Sequence, residues 1–531
     1  PNAIKRFQEN LKMVIQFTTI LFIVLCLIIF NIVPRGFRKY ALLVFSATFI
    51  YLEGGVPGLL TLSAMTLITW CIGILFFSQD PAAASGRKPH YRKKASSEAH
   101  TAANAVTRTA TQKAITFIGI ALLALFLFGW KYLPWAALQM VGDMTGVLPE
   151  DMTFLQKTAT AAIPIGLSFY TFQAISYLAD LYMKKIEAER NFFKYALYMM
   201  WFPKWMSGPI ERAGAFLGQL EQCEKTHPFE FDRTIRAITY LIWGMFMKFV
   251  IADHLGSIVD TVFADIPSYG ALSLILTSLF YTMQIYCDFA GYTNCMIGIS
   301  GMFGLDLTQN FMVPYLSEST VEFWRKWHIS LSNFLKDYVY IPLGGNRKGE
   351  GRKILNNMIV FLICGMWHGA GLSFIVWGLL HGLFNTLSNL IKKTRASFLI
   401  KGNLGRFITF CLVSFAWIFF RAPSMEVAGK FVGGMIPGIN PLPLTQGFAF
   451  VEDALMGASA FDWWIIAISL LVLIVMDVVA NRSKSIPPEI IINNFGDFSR
   501  GITLAVLFVV VMVFGMYGSG DDIRSFVYMQ F

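Results

Sequence analysis

Apolar runs recur along the whole chain and are separated by short polar stretches. A helix that crosses a membrane needs about 20 apolar residues, and eleven runs reach or approach this length. They occupy residues 14–33, 57–77, 114–134, 161–181, 235–251, 272–299, 354–367, 372–391, 407–420, 464–479 and 502–516. Two shorter apolar pieces, 41–52 and 192–205, favour re-entrant or interfacial helices, which need protein or a watery cavity around them. We therefore predict an all-α polytopic membrane protein, with about 11–13 membrane helices and re-entrant or interfacial helices around a central tunnel.

The composition supports this class and excludes others. Of the 531 residues, 55% are hydrophobic and only 14% are charged, whereas soluble domains carry roughly 25% charged residues. The net charge of +10 does not indicate a nucleic-acid surface, because the Lys and Arg residues lie in short loops between apolar runs. The seven cysteines show no CxxC spacing, which argues against a disulfide framework or a zinc site.

The charged loops predict an orientation in the membrane. Basic residues dominate 78–113 and 347–353, which we expect on the cytoplasmic side, whereas 135–156 has acidic residues only and 422–461 follows outside by alternation. The basic N-terminus, residues 5–12, fits this scheme in either of two ways. It lies on the membrane as an amphipathic helix, or one early segment does not span.

Two histidines lie in strongly apolar surroundings, His368 in MWHGA and His328 in FWRKWH. Ionisable side chains at membrane depth are costly and usually line a cavity or pathway. His368 falls at the turn between the predicted helices 354–367 and 372–391, where Gly369 and Gly371 allow a sharp turn and the approach of a ligand.

The segment around His328 is too polar for lipid and too aromatic for an ordinary loop. Residues 322–340 mix charged side chains with Trp and Tyr, which favours one helix lining a cavity. The residues that we expect to line the tunnel or contact substrate are Trp324, Arg325, Tyr338, Trp367 and Asp288.

Seven stretches then carry a resemblance to a known family. They are PIGLSFYTFQ at 164–173, FPKWMSGPI at 202–210, QIYCDFAGY at 284–292, residues 323–346, MWHGA at 366–370, AWIFFRAP at 416–423 and FVYMQF at 526–531. The chain resembles the membrane-bound O-acyltransferase superfamily, in the branch that O-acetylates alginate and peptidoglycan.

The resemblance implies one transmembrane domain over residues 1–531. It would comprise N-terminal helices at 1–77, the basic cytoplasmic loop at 78–113, a catalytic core at 158–422 and C-terminal helices at 423–531. It also implies that His368 matches the catalytic histidine of the family and His328 its second important polar residue. Cys287 departs from the pattern, since an apolar or aromatic residue is expected there.

The chemistry of acetyl transfer fits these side chains. Moving an acetyl group from a thioester to an alcohol needs a base, and neutral imidazole suits that task near pH 7, so His368 is the candidate base. Charge on the thioester oxygen needs fixed donors, for which His328 or the indole N–H groups of Trp324 and Trp367 are candidates. The alternative, that each histidine only forms hydrogen bonds within the bundle, stays open.

Several other residues allow both a structural and a functional interpretation. Asp288 either forms a structural ion pair with a tunnel-lining arginine such as Arg325 or takes part in catalysis. Cys364 lies one helical turn before His368 and is either a small apolar filler or an acyl-accepting nucleophile. The basic cluster that follows the histidine segment either only sets topology or contacts the phosphates of coenzyme A; its members are Arg347, Lys348, Arg352 and Lys353.

His254 and His381 flank predicted helices and are interpreted as structural. No ligand spacing favours a metal.

The sequence thus predicts an O-acyltransferase of the bacterial cytoplasmic (inner) membrane. The resemblance implies acetyl-coenzyme A as donor with no permanently bound cofactor, and a surface polysaccharide as final acceptor, acetylated either directly or through a partner. It also implies an extracytoplasmic partner of the SGNH or serine-hydrolase-like class, because the external loops predicted here are too short to fold such a domain. Two alternatives remain: D-alanyl transfer to teichoic acid, and a glycan exporter without chemistry.

Overall fold

The computed structural model describes residues 19–77, 108–145, 164–223, 230–444, 456–483 and 486–517. Over these ranges the chain forms 19 α-helices and no β-strand, so the predicted all-α fold is confirmed. The helices are α1 Thr19–Ile32, α2 Arg38–Phe77, α3 Ala110–Thr145, α4 Leu167–Tyr182, α5 Phe192–Met200, α6 Phe202–Trp205, α7 Ala213–Cys223, α8 Phe231–Met245, α9 Asp253–Ala264, α10 Ala271–Met302, α11 Thr320–Lys326, α12 Ile329–Leu335, α13 Gly349–His368, α14 Leu372–Ile391, α15 Gly402–Arg421, α16 Met425–Gly434, α17 Ala460–Arg482, α18 Pro488–Asn493 and α19 Asp497–Phe514. The basic N-terminus, most of the loop 78–113 and the motif at 526–531 lie outside the described residues.

Eight helical segments of the described chain are long and apolar enough to cross a membrane. They are α2 with the turn before it, α3 over Ala110–Leu133, the continuous stretch of α8 and α9, and α10, α14, α15, α17 and α19. The chain is therefore a multi-pass membrane protein. The predicted segments 161–181 and 354–367 form the shorter α4 and the more polar α13.

Two N-terminal elements differ from the prediction. The predicted segments 41–52 and 57–77 join in α2, which is kinked at Gly55, where φ is 62° and ψ is −171°. This backbone suits glycine, and Pro57 removes a helical N–H just beyond it. Residues 135–145 were expected in an external loop, but α3 continues through them to Thr145. Helix-forming residues such as Ala, Leu, Gln and Met follow Pro134, and their propensity outweighs the break.

One compact unit comprises residues 25–230 and 303–308. In it α2 packs against α5, and α3 packs against α4. Its interior holds a fully buried lysine, Lys204, which donates hydrogen bonds to Gln173 Oε1 and to the carbonyl oxygen of Tyr198. The ammonium also lies 4.4 Å from the centroid of the Tyr198 ring, so the buried charge has polar and π-electron partners.

The other unit comprises residues 1–24, 231–302 and 309–531. Here α8 and the π-helical turn Phe246–Ala252 pack closely along α10. Glycine permits the close approach, because a Cβ atom on Gly244 would lie 2.6 Å from the carbonyl oxygen of Gly291. A Cβ atom on Gly298 would lie 2.6 Å from the carbonyl oxygen of Ala237. Small residues of this kind are typical of helix contacts in membranes.

Glycines also permit close contact between α13 and α14. A Cβ atom on Gly365 would lie 2.4 Å from the carbonyl oxygen of Phe374, and one on Gly378 would lie 2.4 Å from that of Phe361. The two backbones therefore approach closely near the end of α13. Helix α15 also packs against α14, and its Phe420 contacts His368 at the end of α13, so residues at this crossing lie among three helices.

Candidate active site

His368 is the last residue of α13, as the sequence predicted for a turn between two helices. Its side chain is 3% exposed and is enclosed by aromatic rings. The centroid of its imidazole lies 4.7 Å from that of Trp367, 4.9 Å from Trp377 and 5.1 Å from Phe420. The site around His368 is therefore buried and strongly aromatic.

The glycines after His368 are needed for a different reason from the one predicted. Gly369 has φ −166°, and Gly371 has φ −82°, so neither uses the left-handed region. Instead, a Cβ atom on Gly369 would lie 2.2 Å from the ring of Phe374. Gly369 therefore provides space for a ring that packs against the turn, whereas a Cβ atom on Gly371 would approach no atom more closely than 3.4 Å.

His328 lies at a break between two helices. The single helix predicted over 322–340 is wrong: α11 ends at Lys326, α12 begins at Ile329, and a π-helical turn follows at Lys336–Tyr340. His328 joins α11 to α12 with φ 43° and ψ 56°, a left-handed conformation that costs free energy for a residue with a side chain. No Gly or Pro marks this break, so periodicity alone does not reveal it.

Asn310 stabilises this break from outside the two helices. Its carbonyl oxygen accepts from Ile329 N at 3.0 Å and its side-chain oxygen accepts from Ser330 N at 3.1 Å. These bonds satisfy two of the free N–H groups at the start of α12. The strained backbone of His328 is thus held in place by a specific partner.

The imidazole of His328 is fully buried. Its centroid lies 4.8 Å from that of Phe289 and 6.2 Å from that of Trp367. Burial lowers the pKa of His328 to about 3, so its imidazole is neutral near pH 7. Since Trp367 also contacts His368, one indole lies beside both histidines.

A third buried histidine, His381 on α14, belongs to the same aromatic cluster. The indole N–H of Trp324 donates to His381 Nδ1 at 3.2 Å, so Trp324 is not available as the free donor that the sequence suggested. The His381 centroid lies 4.9 Å from that of Trp377, whose ring also contacts His368. The interpretation of His381 as a residue flanking a helix was wrong, because it lies in the middle of α14. The signal that the sequence offered was the four-residue spacing of Trp377 and His381, which places them on one helix face.

Asp288 has a different partner from the predicted arginine. Its Oδ1 lies 2.6 Å from Lys248 Nζ, and the same ammonium lies 2.9 Å from Asp253 Oδ1. Arg325 is exposed. The expected ion pair exists, but its cation comes from the π-helical turn after α8, which packs against α10.

Two further predicted side chains lie on the π-helical turn and on α13. Tyr338 is half-buried in the π-helical turn, and its ring centroid lies 5.0 Å from that of Phe334. Cys364 is fully buried on α13, one turn before His368. In the part of the chain that the structure describes, no group of three His, Cys, Asp or Glu side chains is placed to hold a metal.

The basic cluster lies around the start of α13. Arg347, Lys348 and Arg352 are exposed. Lys353 lines a shallow cavity together with Glu350, Asn357 and other side chains of α13 and α14. Glu350 is held by Lys393 at 2.7 Å and by Lys353 at 3.7 Å, and its hydrogen bond with Lys393 lowers the pKa of that carboxyl.

Comparisons with known proteins agree with these features. Residues 184–427 match the family model described as MBOAT, membrane-bound O-acyltransferase family. The chain is 37% identical over 301 residues to a probable alginate O-acetylase AlgI of Pseudomonas fluorescens, covering 55% of this chain and 59% of the relative. It is 36% identical over 315 residues to a peptidoglycan O-acetyltransferase of Helicobacter pylori, covering 54% of this chain and 59% of the relative. A teichoic acid D-alanyltransferase of Bacillus subtilis is 27% identical over 236 residues, covering 43% of this chain and 60% of the relative.

These matches span about three fifths of the length of those relatives. Together with the apolar helices, they define the class as a polytopic membrane protein that is similar, over residues 184–427, to membrane-bound O-acyltransferases. Residues 184–427 are similar to the membrane-bound O-acyltransferase family, and over this region the predicted resemblance is confirmed. The three histidines, Asp288 and the basic cluster all fall inside the matched region.

Proposed function

We propose that this protein is an O-acyltransferase that moves an acetyl group from a thioester donor to a polysaccharide outside the bacterial cytoplasmic membrane. The observation that carries the proposal is the pair His328 and His368, buried beside one indole within the region that matches the family. Relatives named for the O-acetylation of alginate and of peptidoglycan support the acetyl group and the glycan acceptor. Acetyl-coenzyme A is the proposed donor, loaded from the cytoplasm.

In the proposed step His368 acts as general base. Its imidazole takes the proton of an acceptor hydroxyl while the hydroxyl oxygen forms a bond to the acetyl carbonyl carbon. The π electrons of the carbonyl move onto its oxygen and return when the carbon–sulfur bond breaks. The thiolate then takes the proton from the imidazolium, so that an ester and a thiol leave with no net proton change.

The other predicted residues have supporting roles in this proposal. His328 is neutral near pH 7 and offers a hydrogen bond to the reacting groups rather than a charge. Trp367, which contacts both imidazoles, keeps water from the acetyl group. The exposed side chains Arg347, Lys348 and Arg352 are suited to the phosphates of coenzyme A, and Lys353 lies at the adjoining cavity.

We further propose that a separate extracytoplasmic protein of the SGNH or serine-hydrolase-like class passes the acetyl group to the polysaccharide. Within the chain, residues 158–422 form the proposed catalytic core, which the N-terminal region 1–77 and the loop 78–113 precede in sequence and the C-terminal region 423–531 follows. These assignments follow from the family resemblance and the position of the buried histidines.

The proposal is tested in cells with His368→Ala, by weighing glycan yield and ester content together. We expect ester content to fall by at least about 100-fold, the contribution of a general base, while glycan yield stays unchanged. Loss of glycan itself would favour the exporter and contradict the proposal. Cys364→Ala is the matched variant that removes a buried side chain one turn away; full ester loss there would instead favour an acyl-cysteine.

The match to a teichoic acid D-alanyltransferase supports a second candidate, the transfer of D-alanine from a carrier-protein thioester. A competition experiment separates the two. The purified protein is offered labelled acetyl-coenzyme A and a D-alanyl carrier protein at equal concentration. Transfer from acetyl-coenzyme A alone supports acetylation, and transfer from the carrier alone contradicts it.

A further inference from the structure

Two buried N–H donors lie one helical turn apart on α14. Trp377 and His381 are both fully buried, and their spacing of four residues places them on the same helix face. Because Trp324 donates to His381 Nδ1 at 3.2 Å, the neutral imidazole must carry its proton on Nε2. The proton of the Trp377 indole is fixed on Nε1.

Neither of these nitrogens has a hydrogen-bond acceptor among the residues that the structure describes. A buried donor without an acceptor is costly, and such groups in native proteins call for an explanation. These two donors, Trp377 Nε1 and His381 Nε2, lie one helical turn apart on the same helix face, and the Trp377 ring also contacts His368.

The two donors border the site of the proposed base. The Trp377 centroid lies 4.9 Å from that of His381 and 4.9 Å from that of His368, with its ring nearly perpendicular to both imidazoles. Trp417 stacks against Trp377 at 5.5 Å and Phe420 contacts it at 5.1 Å. Trp377 is thus packed among aromatic rings and two histidines and is fully buried.

We propose that the indole N–H of Trp377 and the Nε2–H of His381 bind the carbonyl oxygen of the acyl group and stabilise it as an oxyanion during transfer. This inference rests on the proposed function and adds the donor pair that the reaction requires. Negative charge builds on the carbonyl oxygen when the acceptor oxygen attacks, and donors fixed in a dry site stabilise that charge strongly. Trp324 is a positioning residue, because its N–H holds His381 in the tautomer that donates from Nε2.

The test uses the full-length protein in lipid nanodiscs with acetyl-coenzyme A isotopically labelled at the acetyl carbonyl. Trp377→Phe keeps an aromatic ring and removes the N–H. We expect kcat for acetyl transfer to fall about 100- to 1,000-fold, as for the loss of one oxyanion donor, with KM changed by less than about threefold. The infrared band of the bound carbonyl should move to higher frequency, because it loses a hydrogen bond. Trp243→Phe, a buried tryptophan of α8, is the matched control and should change none of these quantities.

His381 gives a second, independent pair of variants. His381→Gln keeps an N–H donor close to the position of Nε2, whereas His381→Phe keeps only a ring. We expect His381→Phe to lose about 100-fold in kcat and His381→Gln to recover at least about tenfold of that loss. If Trp377→Phe loses its cooperative melting transition and so does not fold, the two His381 variants test the donor assignment in its place.

Retention of kcat within about threefold in Trp377→Phe, with an unmoved carbonyl band, would overturn the donor assignment and leave the acetyltransferase proposal standing. Equal losses in His381→Gln and His381→Phe would also overturn it, since packing alone would then explain the effect. A wild-type protein that neither binds nor transfers the acetyl group of acetyl-coenzyme A would overturn both proposals.

Discussion

At the scale of single residues, the environment of each polar side chain decides what it can do. His328 and His368 are both imidazoles in apolar surroundings, yet one is fixed by a strained backbone and the other ends a long helix. The sequence indicated both histidines because ionisable residues in apolar segments are rare. It did not indicate the partner of Asp288, because Lys248 lies 40 positions away in the chain and meets it only through helix packing.

The first prediction concerns the close packing beside the turn after His368. Gly369→Ala places a methyl group against Phe374, and overpacking of this kind costs about 1–3 kcal/mol. We expect a lower melting temperature and a reduced rate of acetyl transfer, because His368 must move with the turn. Gly371→Ala, which meets no atom closer than 3.4 Å, is the control and should melt as the wild type does. Equal melting temperatures for Gly369→Ala and Gly371→Ala would show that the turn accommodates the methyl group without loss of stability, which would contradict this prediction.

A pH dependence of stability is expected from Glu489 on α18. The carboxyl is 1% exposed and accepts a hydrogen bond from Gln309 Nε2 at 2.5 Å. Burial raises the pKa of Glu489 to about 7 from a usual value of 4.5. The folded state therefore holds a proton that the unfolded state releases between these two values, so this contribution to stability is present at low pH and is lost as pH rises through about 7.

Glu489→Gln should remove this dependence. We expect the variant to be more stable than wild type by about 1–3 kcal/mol near pH 8 and similar to it near pH 4, as read from melting curves in detergent. Glu350→Gln is the control, because the pKa of that exposed carboxyl is lowered rather than raised. A wild-type melting temperature that rises between these two pH values, with Glu489→Gln unchanged from wild type, would contradict the assignment.

At the scale of helices, glycine contacts and buried ion pairs determine where the functional side chains lie. The prediction for 372–391 agrees with α14, Leu372–Ile391, because continuous apolarity between a glycine pair and a lysine pair defines a helix clearly. The break at His328 could not be predicted, because tertiary contacts with Asn310 impose it. The donor pair on α14 was missed for the same reason: only the packing of α11 shows that Trp324 uses one nitrogen of His381.

The ion cluster between α10 and the π-helical turn gives a prediction at this scale. Lys248→Met leaves Asp253 and Asp288 buried without their shared cation, and breaking a buried pair in this way costs about 3–5 kcal/mol. We expect Lys248→Met to be poorly folded, and the double variant Lys248→Met/Asp288→Asn to melt at a higher temperature than Lys248→Met alone. Additive losses in the double variant would show that the charges are not coupled.

At the scale of the whole molecule, the long apolar helices and the charges of the loops indicate a chain that crosses the membrane many times. The matched family region, 184–427, contains four of the eight long apolar segments as well as the short helices α11 and α12. Composition and apolar runs were sufficient to predict this class. The orientation depends on loop charge alone and is therefore a prediction that needs its own test.

Single cysteines introduced on the two sides test the orientation. We expect a membrane-impermeant maleimide to label Arg347→Cys only in inside-out vesicles and Pro437→Cys only in intact cells or right-side-out vesicles. Both positions are exposed, and the unaltered protein, which carries the exposed native Cys411, provides the background. Labelling of both positions from the same side would refute the predicted alternation.

The role of His368 as the base is tested most directly by the rate of acetyl transfer from acetyl-coenzyme A by the purified full-length protein. His368→Gln keeps a polar side chain of similar reach and cannot take the proton. We predict a fall in kcat of about 100- to 10,000-fold with an almost unchanged Kd for acetyl-coenzyme A, the loss expected for a general base. A His368→Gln variant that transfers acetyl groups within about threefold of the wild-type rate would contradict the assignment.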